Sequence, residues 1–134
     1  MTHLIRLSLG TFLLTSLTGC NELSMRLNTE SAIKSLRLLS VAEELYRAKP
    51  GHFRYGTLEE LYDARLIDAE LASGTKAGYR FELTPLKTSF KLTAIPLQHG
   101  TTGYASFYLD ESGLIRGHTE NRVANGNDSP IGSQ

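Results

Sequence analysis

Apolar residues recur at steps of three and four from Thr29 to Ala48, which predicts a long amphipathic helix. Pro50 and Gly51 follow. Because proline interrupts the hydrogen-bond ladder and glycine permits the turn, we predict that the helix ends just before them. The expected apolar stripe comprises Ala32, Leu36, Leu39, Ala42, Leu45 and Tyr46, and a parallel line runs through Ile33, Leu36, Leu39 and Glu43.

Two short helical turns are expected after this helix. Thr57 and Glu60 have the spacing of a capping box, which predicts a helix that continues to about Ala64. Asp68 is a suitable N-cap for a further turn that ends near Gly74.

The hydrophobic period then changes from about 3.6 to 2, which is typical of half-buried antiparallel strands. Four strands are predicted, around residues 79–83, 90–94, 106–109 and 114–118. The expected fold is therefore α+β, with the long N-terminal helix packed on a three- to four-stranded antiparallel sheet. We expect this domain to cover residues 29–120, after a polar lead-in at 20–28. Residues 121–134, rich in Asn, Gly, Ser and Pro, are expected to form a disordered tail.

A separate apolar run lies at the start of the chain, from Leu7 to Leu17. It is too short to span a bilayer comfortably, and its length suits the central region of an export signal. Polar residues follow at once, from Asn21 onward. We therefore expect residues 1–19 to be a signal peptide.

The boundary between the two regions reads Leu17-Thr18-Gly19-Cys20, and Cys20 is the only cysteine. This tetrad resembles the lipobox of bacterial lipoproteins. The resemblance implies cleavage between Gly19 and Cys20, a diacylglyceryl group on the Cys20 sulfur and an acyl chain, such as palmitate, on its new amino group. Several acyl chains would anchor the protein stably, whereas one holds only marginally.

Two other interpretations of this segment stay open: an uncleaved signal anchor, and an ordinary secretory signal with an incidental cysteine. The residue after the cysteine is Asn21 and not aspartate. By resemblance to Gram-negative lipoproteins, this implies an extracytoplasmic protein anchored to the outer membrane on its periplasmic side.

Four segments of the mature chain, taken in order, resemble a group of pilin-like proteins. They are "SAIKSLRLLSVAEELYRA", "GTLEEL", "LIDAELASGTKAGYRFELTP" and "GYASFYLDESGLIR". The overall plan is similar to that of type IV pilins and pseudopilins, which place a long helix before a small antiparallel meander. The resemblance implies a pilin-like globular domain.

The leader departs from the pilin pattern. In pilins an unbroken hydrophobic run follows the cleavage site and packs in the filament, whereas here "CNELSMRLN" is polar. The resemblance therefore implies the pilin head without polymerisation.

The charge balance argues against a nucleic-acid partner. The chain has 14 basic and 14 acidic residues, and no cluster of positive charge is evident along it. A nucleic-acid binder needs such a cluster to displace counterions from phosphate. No glycine-rich nucleotide-binding motif occurs either, and we expect no cofactor.

Few residues suggest chemistry. His52, His99 and His118 are widely spaced, unlike zinc ligands, and Ser112 lacks the setting of a nucleophile elbow. We therefore expect no catalytic residues. Asp110 and Glu111 could help to hold calcium, although capping of the turn by Asp110 is the favoured interpretation, so that no metal site is expected.

Tyr104, in a glycine-flanked loop, is a candidate for contact with a partner protein. The sequence favours a membrane-tethered, non-enzymatic binding or structural module. Its expected partners are the membrane, through the lipid, and another envelope protein, such as a pilus or secretion component. The alternatives are a small envelope hydrolase and a carrier of an apolar small ligand.

Overall fold

The computed structural model describes residues 8–132, with side chains from residue 19 onward. Its first element is a helix of 41 residues, α1 (Ser8–Ala48), followed by α2 (Leu58–Asp63) and α3 (Ala69–Ala72). The predicted end of α1 before Pro50 is confirmed. The polar lead-in at 20–28 is part of this helix and not a separate stalk.

Five strands follow the helices and form one antiparallel sheet in chain order, which confirms the α+β class. Their bounds are β1 (Thr75–Lys76), β2 (Tyr79–Pro85), β3 (Phe90–Pro96), β4 (Ser106–Asp110) and β5 (Arg116–His118). The expectation of three to four strands was wrong because β1 has only two residues, too few for a period of two to show.

The core lies between α1 and the sheet. In β2 and β3 the alternation is as predicted, with Tyr79, Phe81, Phe90, Leu92 and Ala94 buried, and Phe107 and Leu109 of β4 are buried beside them. Across from them, α1 contributes Ala32, Leu36, Leu39, Ala42 and Tyr46. Leu45 was expected in this stripe, but it is 52% exposed because it lies on the outer face of the helix, on the same side as Val41.

Both predicted N-caps are present. The Thr57 hydroxyl accepts a hydrogen bond from the Glu60 amide, and the Glu60 carboxylate accepts one from the Thr57 amide. Asp68 caps α3 by accepting from the Leu71 amide at 2.9 Å. These caps satisfy amide groups that a helix leaves unpaired in its first turn.

The C-terminal segment is packed and does not form the disordered tail that its composition suggested. From 121 to 132 it runs beside β5, where the Ile131 amide donates to the Ile115 carbonyl and the Gly117 amide to Ser129. Ala124 is buried, and Ile131 packs against the core. A few apolar side chains and backbone hydrogen bonds thus hold a segment that is polar overall.

The two ends of the sheet lie at different levels of α1. At one end, the Tyr79 hydroxyl donates to the Ala105 carbonyl and is within 3.3 Å of the Thr29 hydroxyl. At the other end, the ring of Phe90 packs against Tyr55, whose hydroxyl donates to Glu44. The loop between β3 and β4 therefore lies beside the part of α1 nearest Cys20.

Candidate functional site

Cys20 is a free, exposed cysteine on α1. Gly19 is exposed beside it, whereas the side chains of Leu17 and Thr18 lie outside the described part of the chain. The first buried side chain after the cysteine is that of Met25. Met25 lies five positions after Cys20, so this first buried side chain is about 7–8 Å from Cys20 along the helix axis.

Tyr104 borders a groove on the same end of the head. The groove has a volume of about 430 Å³ and is open to solvent along its length. Its walls are Glu22, Met25, Arg26, Thr29, Glu30, Tyr104 and Ala105. Tyr104 is 54% exposed, and its ring packs edge to face against the His99 ring, with 5.7 Å between the ring centroids. The side chain predicted to contact a partner is therefore accessible, and the His99 ring supports it on one side.

The three histidines of the described chain occupy separate places. His52 stacks edge-on against Tyr46 at 4.3 Å, and His99 Nε2 lies 3.0 Å from the Thr119 carbonyl. His118 is different, because its Nδ1 lies 3.4 Å from the Asp128 carboxylate and accepts from Arg122. The sequence did not anticipate this cluster, since His118 and Asp128 are ten residues apart.

The Arg122 guanidinium engages both oxygens of Asp128, with Nη1 to Oδ2 at 3.0 Å. The Asn125 amide also donates to Asp128. These hydrogen bonds hold the pKa of Asp128 well below its usual range, with that from Arg122 contributing most. Because Asp128 is already committed to Arg122, it closes a turn within the C-terminal segment and is poorly placed to activate His118.

In the turn between β4 and β5, Asp110 caps the turn, as favoured from the sequence. Asp110 Oδ1 accepts from the Ser112 amide at 3.0 Å, while Glu111 is exposed. Partial burial acts to raise the pKa of Asp110, but hydrogen bonds from Ser112 and Tyr108 bring it below its usual value. Among the described residues, no group of three or more His, Cys, Asp or Glu side chains is arranged to hold a metal ion.

Glu43 is a buried polar residue whose position was not predicted as a functional site from the sequence. It is fully buried on the core-facing side of α1, where Oε2 accepts from the Gly56 amide at 2.8 Å. Its other oxygen, Oε1, has no hydrogen-bond partner. The available signal was its spacing, because a glutamate four residues after Leu39 and three before Tyr46 must face the core.

Burial raises the pKa of Glu43 to about 7, and the nearby carboxylates of Glu60 and Glu44 act in the same direction. The Gly56 amide and the positive charge of Arg54 oppose this rise. Arg54 is committed to Glu60 by two hydrogen bonds of 2.8 Å, and the pKa of Glu60 is lowered to about 2, mainly by that contact. Glu43 therefore changes charge near neutral pH while its contacts are with the loop at Gly56 and not with solvent.

Within residues 8–132, no helix combines the length and apolar character needed to cross a bilayer. Comparisons with known proteins return no matching family, no matching curated sequence and no matching solved structure.

Proposed function

We propose that the protein is a bacterial envelope lipoprotein whose pilin-like head is a non-enzymatic binding or structural module. Cys20 is the lipidated N-terminus after cleavage behind Gly19, and the head faces the periplasm from the outer membrane. One observation supports this most directly: the lipobox cysteine is exposed on α1 only about a turn and a half before the first buried side chain, that of Met25.

The experiment is membrane fractionation of cells that express the wild type or Cys20→Ser. The two chains differ by one atom at an exposed position, so their folding should be alike. In cells grown with radioactive palmitate, we expect the membrane-bound wild type to carry the label and Cys20→Ser to carry none, even if its uncut leader keeps it on the membrane. Equal label on the two chains, or none on either, would overturn the lipid tether.

The binding role has its own test in intact cells. A tethered head meets its partners at high effective concentration, so even weak contacts would be used. We expect crosslinking through a photoreactive residue at position 104 to trap one envelope protein, such as a pilus or secretion component. The same probe at Leu86, in the turn at the far end of the sheet, is the matched control. Adducts of equal yield at both positions would count against a partner site at Tyr104.

The groove beside Tyr104 favours a second candidate, a carrier of a small apolar ligand. Met25, Ala105 and the tyrosine ring form its apolar part. Native mass spectrometry of the protein extracted from membranes would show a non-covalent apolar adduct that disappears on unfolding. A spectrum with covalent lipid only would dismiss the carrier.

A further inference from the structure

A row of large apolar side chains runs along the outer face of α1, opposite the face that packs on the sheet. It comprises Leu23, Leu27, Leu38, Val41 and Leu45, each of which is between 49% and 59% exposed. Steps of three, four and eleven residues return to the same side of a helix, so the five side chains lie in one line, which we call the outer stripe. An exposed apolar row of this kind marks contact with a partner.

Three charged residues lie on the same side of α1, in the middle of the outer stripe: Glu30, Lys34 and Arg37. All three are exposed. Within the part of the chain that the structure describes, none of them takes part in an ion pair. Glu30 and Arg37 are two helical turns apart, so each charge is available to a partner outside its own chain.

The outer stripe is self-complementary for two α1 helices that run in opposite directions about a two-fold axis at Lys34. Leu23 then lies level with Leu45 of the second copy, and Leu27 lies level with Val41 of the second copy. A two-fold axis repeats each of these contacts, because the same surface of both copies is used. The apolar ends of one helix therefore meet the apolar ends of the other over residues 23–45, a length of about 33 Å.

The charges favour this antiparallel direction over a parallel one. In the antiparallel pair, Glu30 lies within one residue of the level of Arg37 of the second copy, on the same flank of the contact. In a parallel pair, Glu30 would lie level with Glu30 and Arg37 with Arg37, which places like charges together. Lys34 lies at the axis, where its long side chain can reach Glu30 of the second copy. The ion pairs set the direction, and burial of the outer stripe supplies the affinity.

We propose that the outer stripe is a dimer interface, through which two copies of this chain join by their antiparallel α1 helices. This inference goes beyond the proposed function and does not depend on the lipid. It is compatible with the lipid, because the two Cys20 residues lie about 42 Å apart along the paired helices, and both anchors enter one bilayer when the helices lie along its surface.

Single cysteines on the outer stripe report the direction of pairing. Two differently tagged copies, one with Leu27→Cys and one with Val41→Cys, are expressed together, and intact cells are treated with copper phenanthroline, which oxidises neighbouring thiols to a disulfide. Each variant expressed alone under both tags reports pairing with itself. Leu86→Cys, exposed on the far turn of the sheet, is the control away from α1, and the wild type gives the background from Cys20.

We expect the mixed pair to give at least fivefold more disulfide-linked dimer than either variant alone, the Leu86→Cys control or the wild type. Linkage of Leu27→Cys to itself at the yield of the mixed pair would show parallel helices and overturn the proposal. Absence of linkage in the mixed pair, while a maleimide labels both thiols, would also overturn it. Linkage of the outer stripe to a different protein would replace the second copy with that partner.

An exchange of charges provides a second test, which a change in folding alone would not pass. In the mixed pair, Glu30→Arg places it beside Arg37 of the second copy, and we expect linkage to fall at least threefold. Adding Arg37→Glu to the same chains restores opposite charges across an antiparallel contact, so linkage should recover. Unchanged linkage in Glu30→Arg, or no recovery in the double variant, would overturn the antiparallel register.

Discussion

Two segments of the domain each contain backbone amides that donate to one carboxylate. One of these carboxylates is buried without a cation, and the other is paired with a guanidinium. Glu43 is buried, holds the loop after α1 through the Gly56 amide, and has a raised pKa. Asp128 lies near the surface, closes a turn within the C-terminal segment through Arg122 and Asn125, and has a lowered pKa. A carboxylate without a cation favours its neutral form inside a protein, whereas one with a guanidinium partner favours its charged form.

The difference fixes opposite signs of pH dependence. The folded protein binds a proton at Glu43 more tightly than the unfolded chain does. The contribution of Glu43 to the free energy of unfolding is therefore full below about pH 4.5 and is lost as pH rises through about 7. The contribution of Asp128 to the free energy of unfolding is full above about pH 4 and is lost as pH falls through the lowered pKa that Asp128 has in the folded protein. The loop at Gly56 should therefore loosen as pH rises through about 7, and the C-terminal segment should loosen in acid.

The largest expected effect is that of Glu43→Gln. The shift from 4.5 to about 7 corresponds to a cost of roughly 3 kcal/mol for the charged form at pH 8. The amide keeps an oxygen for the Gly56 N–H, so we expect the variant to be more stable than the wild type by about that amount at pH 8, and nearly equal to it at pH 4.5. Urea unfolding at both pH values measures the difference.

Glu59→Gln is the matched control, because Glu59 is exposed on α2 and the substitution removes the same charge. It should follow the wild type at every pH. If Glu43→Gln also follows the wild type, the buried carboxylate does not control the loop.

On the other segment, Ile131→Ala should cost about 1–2 kcal/mol, which is below the range for a fully buried isoleucine because this side chain is half-buried. The control Leu114→Ala removes an exposed side chain of similar size and should cost under about 0.5 kcal/mol. Thermal unfolding of the two variants gives the comparison. Equal losses would mean that the C-terminal segment contributes no packing.

Thr57→Ala removes the N-cap of α2 next to the loop at Gly56, and we expect a loss of about 1 kcal/mol. Thr88→Ala, at an exposed turn, controls for the loss of a threonine. Hydrogen exchange should show faster opening of the Glu60 amide, which Thr57 binds. An unchanged exchange rate there would contradict a fastening role for the cap.

The smallest and most local effect is expected from Asp128→Asn. The Asn125 amide donates to this carboxylate at 2.8 Å, so its NMR shift should report protonation of Asp128. In the wild type the shift should move only below about pH 4, since the folded pKa is lowered, and in Asp128→Asn it should stay flat. Movement centred above about pH 5 would show that Arg122 does not hold the carboxylate charged.

These elements also show what local sequence can predict. The end of α1, the caps at Thr57 and Asp68, and the alternation in β2 and β3 follow from residue type and spacing over a few positions, and all were predicted. The two-residue β1 pairs with the adjacent start of β2 and is too short for a period of two to show. The packing of Ile131 depends on partners farther back along the chain, such as Ile115. The Arg122–Asp128–His118 cluster and the Gly56 contact of Glu43 required the folded geometry for the same reason.

The central claim is the lipid anchor, and intact mass of the membrane-extracted protein tests it most directly. The account predicts a wild-type mass equal to residues 20–134 plus a diacylglyceryl group and one further acyl chain. Cys20→Ala should lack every part of that added lipid. A wild-type mass without lipid, whether the chain is cleaved elsewhere or left uncut, would contradict the account and leave the head without its tether.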